Sequence, residues 1–304
     1  MSVYQEDYPM ISVVIPSYNR SRTIERAIRS VLDQTYDDLE VIVVDDCSDD
    51  DSREVVNGIG DSRVRFVRLD ARSGACVARN RGVQESKGDI IAFQDSDDAW
   101  KPDKLAIQLK ALAESGADVC FCRVERHYMG KDAKMVIWPT KLGEENCFLD
   151  HVTLRRSSYV STQTIVAKRS VFDTCMFDPK VVKSQDWDWI IRASMNHSIY
   201  YVAQPLVEQY LQPDSISMGY ERFIQSRLYF LEKYSDICRE DEQFKLHLLQ
   251  QLAHYKSLSG INAKEEYGEI YRIEKNAHNL MCKVLSDMNI FAPIHRRLAG
   301  KMSQ

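Results

Sequence analysis

Three carboxylates fall within four residues at Asp95-Ser96-Asp97-Asp98. Like charges so close repel one another and oppose folding unless a cation or donor groups offset them. Oxygen ligands of this kind suit Mg²⁺ or Mn²⁺, ions that usually keep positions open for substrate phosphates. The bland alternative is a solvated acidic turn. A second acidic pair, Asp45-Asp46, presents a carboxylate that can accept from a nucleobase or a ribose hydroxyl. It can equally cap a helix, because Cys47-Ser48-Asp49-Asp50-Asp51-Ser52 follows. In Pro16-Ser17-Tyr18-Asn19-Arg20, Tyr18 offers a ring to stack on a base and Pro16 a means of fixing the loop; alone, the run is an ordinary strand-to-helix turn.

The elements that must position these residues alternate. Ile11–Pro16, Leu39–Val44, Val64–Leu69 and Ile90–Gln94 read as strands, and the first two suit burial on both faces. Ser21–Gln34 repeats apolar residues at Ile24, Ile28, Val31 and Leu32, a helical spacing. Ser48–Asn57, Gly74–Ser86 and Lys101–Glu114 are further helices, and Ala117–Val124 is another strand. The order implies a parallel sheet with helices on both faces. Ligands of such sheets bind beyond the carboxyl ends of the strands. The three polar groups above all follow strands, so they converge at one edge.

Further on the pattern weakens. Ser161–Phe172 reads as a strand and a turn, and Gln185–Asn196 as a helix. From Tyr220 onward no strand is convincing; Glu221–Tyr234, Glu242–Leu258 and Glu265–Asp287 are helical in pattern. The expected division is 1–218 and 219–304. Among 304 residues, 45 acids against 40 Lys and Arg give a net charge of −5, a poor match to a nucleic-acid binder. The eight cysteines form no C-x-x-C pair, which argues against a zinc ribbon or a thioredoxin-like site. Cys120 and Cys122 share one strand face, and free thiols fit a reducing cytosol. Residues 1–10 lack the layout of a signal peptide, and no apolar run would span a bilayer, so a cytoplasmic protein is expected.

The run "ISVVIPSYNR … IERAIRSVLDQTYDDLEVIVVDDCSDDDS … ACVARNRGVQESKGDIIAFQDSDDAWKPDKL" resembles the N-terminal half of glycosyltransferase family 2, and "STQTIVAKRSVFDTCMFDPKVVKSQDWDWIIR" is similar to its acceptor-side half. The resemblance implies a GT-A-type, mostly parallel sheet with helices on both faces, followed here by a helical C-terminal region. It implies a metal-dependent hexosyltransferase that inverts the anomeric carbon, moving sugar from a nucleotide-sugar, a UDP-sugar by expectation, to a saccharide, lipid-linked or protein-linked acceptor. Pro16, Ser17, Tyr18 and Asp46 would line the nucleobase pocket, with Asp46 accepting from the uracil N–H. Arg72 would approach base or ribose, and Asp97 ribose or metal. Asp98 would bind Mn²⁺ or Mg²⁺, with Asp95 joining or supporting it. Asp186 would be the base that faces the acceptor hydroxyl, with Asp188 in reserve; a helix N-cap is the bland role for Asp186.

The chain departs from the family pattern twice. Gln185-Asp186 replaces the frequent Glu-Asp, which removes a charge beside the base. Tyr210-Leu211-Gln212-Pro213-Asp214-Ser215-Ile216-Ser217 lacks the Arg and His of the family's Tyr-Arg-x-His segment, with Asp214 or Ser215 as candidate substitutes. Arg79, in Arg79-Asn80-Arg81, reads as a solvated position with some reach toward a phosphate. Trp187 and Trp189 suit either a sugar ring or the core. Phe291–Leu298 motivates peripheral membrane contact, against packing or dimerisation as a homodimer. No Gly-rich basic loop follows the first strand, as a nucleotidyltransferase would need, and neither G-x-G-x-x-G nor a P-loop is present. The alternative from another class is a non-catalytic nucleotide-sugar-binding partner of a larger assembly.

Overall fold

A computed structural model describes residues 9–129, 133–140, 142–156, 158–211, 219–288 and 291. Ile11, Val13, Val14 and Ile15 are all at 0% exposure, so β1 (Ile11–Ser17) is covered on both faces, as its mostly apolar sequence requires. It pairs in parallel with β2 (Leu39–Asp45), which pairs in parallel with β3 (Val64–Arg68); on its other side β1 pairs in parallel with β4 (Ile90–Phe93). The crossovers are α1 (Ile24–Leu32), α2 (Ser52–Gly58) and α3 (Ala75–Glu85). In α1 the buried residues Ile24, Ala27, Ile28 and Val31 follow the i, i+3, i+4, i+7 rule. Helix α3 lies close on β1: a Cβ on Gly82 would fall 2.2 Å from Val14 Cγ1, so this contact needs glycine.

The remainder of this unit is β5 (Ala99–Trp100), α4 (Lys104–Ser115), β6 (Val119–Tyr128), β7 (Lys134–Trp138), β8 (Cys147–Leu149), α5 (His151–Arg156), a 3-10 turn at Thr162–Thr164, β9 (Val166–Lys168), α6 (Ser170–Thr174), α7 (Gln185–Ala193) and β10 (Ile199–Leu211). The strand order is β3-β2-β1-β4-β9-β6-β10-β5, with β7 added on β6 and β8 on β10. Parallel pairing holds for β3-β2-β1-β4 and for β6–β10; β5, β7, β8 and β9 pair antiparallel. The sheet is therefore mixed beyond β3-β2-β1-β4. Strand β10 carries the difference: Gln204-Pro205 interrupts its apolar pattern, and its register against β6 shifts on either side of Pro205.

The chain divides into two compact units, Met1–Pro179 with Gln185–Pro213, and Lys180–Ser184 with Asp214–Gln304. The second holds α8 (Tyr220–Lys233), α9 (Ser235–Glu240), α10 (Glu242–Leu258), α11 (Lys264–Ile273) and α12 (Ala277–Asp287) around Leu246, Leu249, Ala253, Tyr267 and Ile270. The single helix expected over Glu265–Asp287 is two, because Asn276 turns extended and its side chain caps α12 at the Asn279 N–H. Lys180–Ser184 joins this unit through hydrogen bonds from the Lys183 N–H to Ser226 Oγ and from Arg227 to Ser184 Oγ. Among the described residues no helix is long and apolar enough to cross a membrane.

Candidate active site

At the carboxyl ends of β1 and β2 the two following turns are bonded to each other. The Asn19 N–H donates to Ser48 Oγ at 2.9 Å, the Asp49 N–H to Asn19 Oδ1 at 2.9 Å, the Arg20 N–H to Ser52 Oγ at 3.0 Å, and the Ser21 N–H to Asp50 Oδ2 at 2.8 Å. Asp45 is fully buried and accepts from Ser48 and Arg68. Asp46, 5% exposed, accepts from the Ser73 N–H at 2.6 Å on one oxygen and from the Gly74 N–H at 2.8 Å on the other. Gly74 makes that loop possible, since its φ of 90° lies where a side chain is strained. The clamp fixes the segment bearing Arg72, whose guanidinium lies 4.1 Å from the centroid of the Tyr18 ring.

The acidic run follows β4, and its three carboxylates point to different partners. Asp95 pairs with Arg79 at 3.1 Å. Asp97 faces Arg20 at 3.5 Å, and its backbone carbonyl accepts from Arg26. Asp98 is 2% exposed and accepts from Gln163 Nε2 at 2.8 Å and from the Tyr210 N–H at 3.0 Å. Burial, then the charges of Asp95 and Asp97, hold the Asp98 carboxyl well above the usual range. Partial burial and Asp95 push Asp97 up as well. Neutral donors make the hydrogen bonds to Asp98, and the Asp95 and Asp97 carboxylates act on it more strongly than the Arg26 guanidinium that opposes them. Such a site suits a divalent cation.

Asp186 stands in the first turn of α7, half-buried, and its Oδ1 accepts from the Trp187 N–H at 2.8 Å. The preceding Gln185 accepts from Arg79 Nη1 at 2.7 Å. Arg79 therefore ties the end of the acidic run to the start of α7. It is 6% exposed, a buried bridge rather than the solvated position expected. Asp188 is fully buried and takes two bonds from Arg192, at 2.8 and 2.9 Å, so it faces no acceptor. Trp187 and Trp189 are core residues at 0% exposure, their indole N–H groups donating to the carbonyls of Leu154 and Cys175.

The structure thus brings Tyr18 to Arg72, Asp46 to the loop carrying Arg72, and Asp95 to Arg79 and Gln185; Ser17 and Pro16 close β1 opposite Asp45 and Val44. Sequence reasoning missed Gln163, Tyr210, Arg26 and Arg126. Gln163 and Tyr210 lie in stretches that resemble the family, but no role is readable there, and each of the four acts through tertiary placement. Burial lowers the Arg126 pKa; among the charges opposing that is Asp186, with Asp98 a smaller influence. Among the described residues, side chains of metal-ligand type converge at Glu125, His127 and Glu208. There Lys101 pairs with Glu125 and the Tyr210 hydroxyl donates to Glu208, so the charges already have partners. Gln212–Ser217 and residues 292–298 lie outside the described residues.

Residues 12–175 match the family model of glycosyl transferase family 2. A Bacillus subtilis protein provisionally named as the teichuronic acid biosynthesis glycosyltransferase TuaG is 44% identical over 115 residues, covering 37% of this chain and 46% of its own length. The Escherichia coli protein WfgD, named as a UDP-Glc:alpha-D-GlcNAc-diphosphoundecaprenol beta-1,3-glucosyltransferase, is 30% identical over 185 residues, covering 61% of this chain and 70% of its own. The crystal structure of S. aureus TarS 1-349 in complex with UDP-GlcNAc superposes with a TM-score of 0.64 at 18% identity, over 94% of this chain and 88% of that one. This last likeness is one of fold.

Proposed function

Because the chain belongs to glycosyl transferase family 2, we propose that it moves a sugar from a UDP-sugar to a hydroxyl of a saccharide or lipid-linked acceptor, with inversion at the anomeric carbon. The observation that carries this reading is the Arg79 bridge, which joins the acidic run to the residue beside Asp186. A donor-holding edge and a base are thereby set against each other, as a displacement on one carbon demands.

Each residue has a part in the proposal. Tyr18 and Arg72 frame the base. Asp46 spends one lone pair of each oxygen on the Ser73 and Gly74 amides and keeps others for a uracil N–H. Asp98, with Asp97 and Asp95 beside it, would hold Mn²⁺ or Mg²⁺. That ion, when bound, offsets the charge that grows on the leaving diphosphate. Asp186 takes the proton from the acceptor hydroxyl as its oxygen bonds to the anomeric carbon, and the bond from that carbon to the diphosphate breaks with its electron pair. The donor named for WfgD is UDP-Glc and its acceptor is alpha-D-GlcNAc-diphosphoundecaprenol, a lipid-linked sugar. A similar acceptor would bring this protein to the cytoplasmic face of a membrane.

Calorimetry with UDP, GDP, dTDP and CDP, each with Mn²⁺ and with EDTA, tests the site, and radiolabel transfer to a lipid-linked saccharide tests the chemistry. We expect Mn²⁺-dependent UDP binding, retained in Asp186→Asn while transfer is lost. Normal transfer by Asp186→Asn overturns the base assignment. Donor binding without transfer or hydrolysis favours the non-catalytic partner.

A further inference from the structure

Arg126 lies on β6 opposite Gln209 of β10, one residue before the Tyr210 amide that binds Asp98. Its Nε donates to Gln209 Oε1 at 3.0 Å, and its guanidinium stacks 4.0 Å from the centroid of the Trp138 ring. Those contacts fix the stem and one edge of the group. Among the described residues its terminal nitrogens pair with no carboxylate; the Tyr128 side chain is a hydrogen-bond partner, and the arginine is half-buried. Asp186 and Asp98 both act on its charge from beyond ion-pair distance. Its partners are neutral, and a cation partly removed from water is usually matched by an anion. The Gln209 contact holds the guanidinium on the strand end that also gives Asp98 its Tyr210 N–H.

The chain also lacks a cation where its family supplies one. Tyr210-Leu211-Gln212-Pro213 stands where the family pattern has Arg and His. Arg126 reaches the same end of β10 from the neighbouring strand. We infer that Arg126 binds the second phosphate of a nucleoside diphosphate donor, supplying from β6 the positive charge absent from the segment after β10. This rests on the transferase reading above. The guanidinium fork suits a phosphate oxygen pair, and the Trp138 stack and the Gln209 bond hold it in place before the donor arrives.

The probes are UDP and UMP, which differ by that phosphate, each titrated by calorimetry at one Mn²⁺ concentration. The wild-type protein binds UDP more tightly than UMP. In Arg126→Gln the UDP affinity falls by about tenfold or more, as loss of a charge-assisted contact implies, and the UMP affinity stays within about twofold. Unchanged UMP binding also reports that the variant is folded. Should Arg126→Gln bind neither nucleotide, Arg126→Met, which keeps the stem against Trp138, is measured in the same way and carries the same expectation. UDP affinity equal in wild type and a UMP-binding variant overturns the inference and leaves the transferase reading standing. A wild-type protein that binds neither nucleotide overturns both.

Discussion

The backbone N–H of Tyr210 donates to Asp98 Oδ1 at 3.0 Å, across 112 residues of sequence. With Gln163 on the other oxygen, this bond aims a carboxylate by neutral donors alone. Asp98→Asn keeps an acceptor for the amide and removes the charge. In EDTA we expect the melting temperature to rise by about 2–4 °C, the effect of about 1 kcal/mol in a domain of roughly 200 residues, while Mn²⁺-dependent UDP binding is lost. The sign follows from the direction of the shift. A raised pKa means that the folded state binds the proton more tightly, so the burden is present above that pKa and relieved as the pH falls through it. The melting-temperature advantage of the variant should therefore shrink as the pH is lowered. A variant less stable than wild type in EDTA at neutral pH would show that the charge has a partner.

Arg79 acts on the reaction through others, as a positioning residue between Asp95 and Gln185. Lysine is a point donor and cannot hold two acceptors in the fork geometry of arginine. Arg79→Lys should lower kcat by about 10–100-fold through misplacement of Asp186, with UDP affinity changed less than about threefold. Steady-state kinetics with parallel UDP titration separates the two. A loss confined to UDP affinity would move Arg79 to the donor.

Asp50 fastens the two turns at the nucleotide end. Burial works against its carboxylate, but the hydrogen bonds from Ser52 and Ser21 outweigh this and bring it from 3.8 to about 2. A lowered pKa gives stability that is complete above 3.8 and lost as the pH falls toward about 2. Asp50→Asn should cost about 1–2 kcal/mol at neutral pH and flatten the acid limb in that window. Urea unfolding across an acid pH series checks this; parallel curves for both proteins would remove Asp50 from the account.

The nucleotide-side half was legible because its signals are local. Ile11–Ser17 and Leu39–Asp45 are mostly apolar runs, and Asp46 and Asp95–Asp98 follow strands directly. The acceptor side was not, because β10 hides behind Gln204-Pro205 and its pairing with β6 is set over about eighty residues. The site shows the same divide. Residues that carry charge in a motif were readable. Residues that only hold them were not, since nothing in the sequence near Gln163 or Tyr210 announces Asp98, and Arg79 reads as surface until Gln185 is folded against it. The reserve base Asp188 differs from Asp186 only in which way the helix turns it, and that is a property of the core around Trp187 and Trp189.

The stitching of the turns after β1 and β2 has a consequence for anyone recombining such chains. Asn19, Arg20 and Ser21 are bonded to Ser48, Asp49, Asp50 and Ser52, and Arg20 also faces Asp97. A chimera that imports the first turn from a different donor specificity and leaves the second behind inherits half of a clasp. The exchangeable cassette is the pair of turns, cut within β1 and after α2, and a breakpoint between them is the one to avoid.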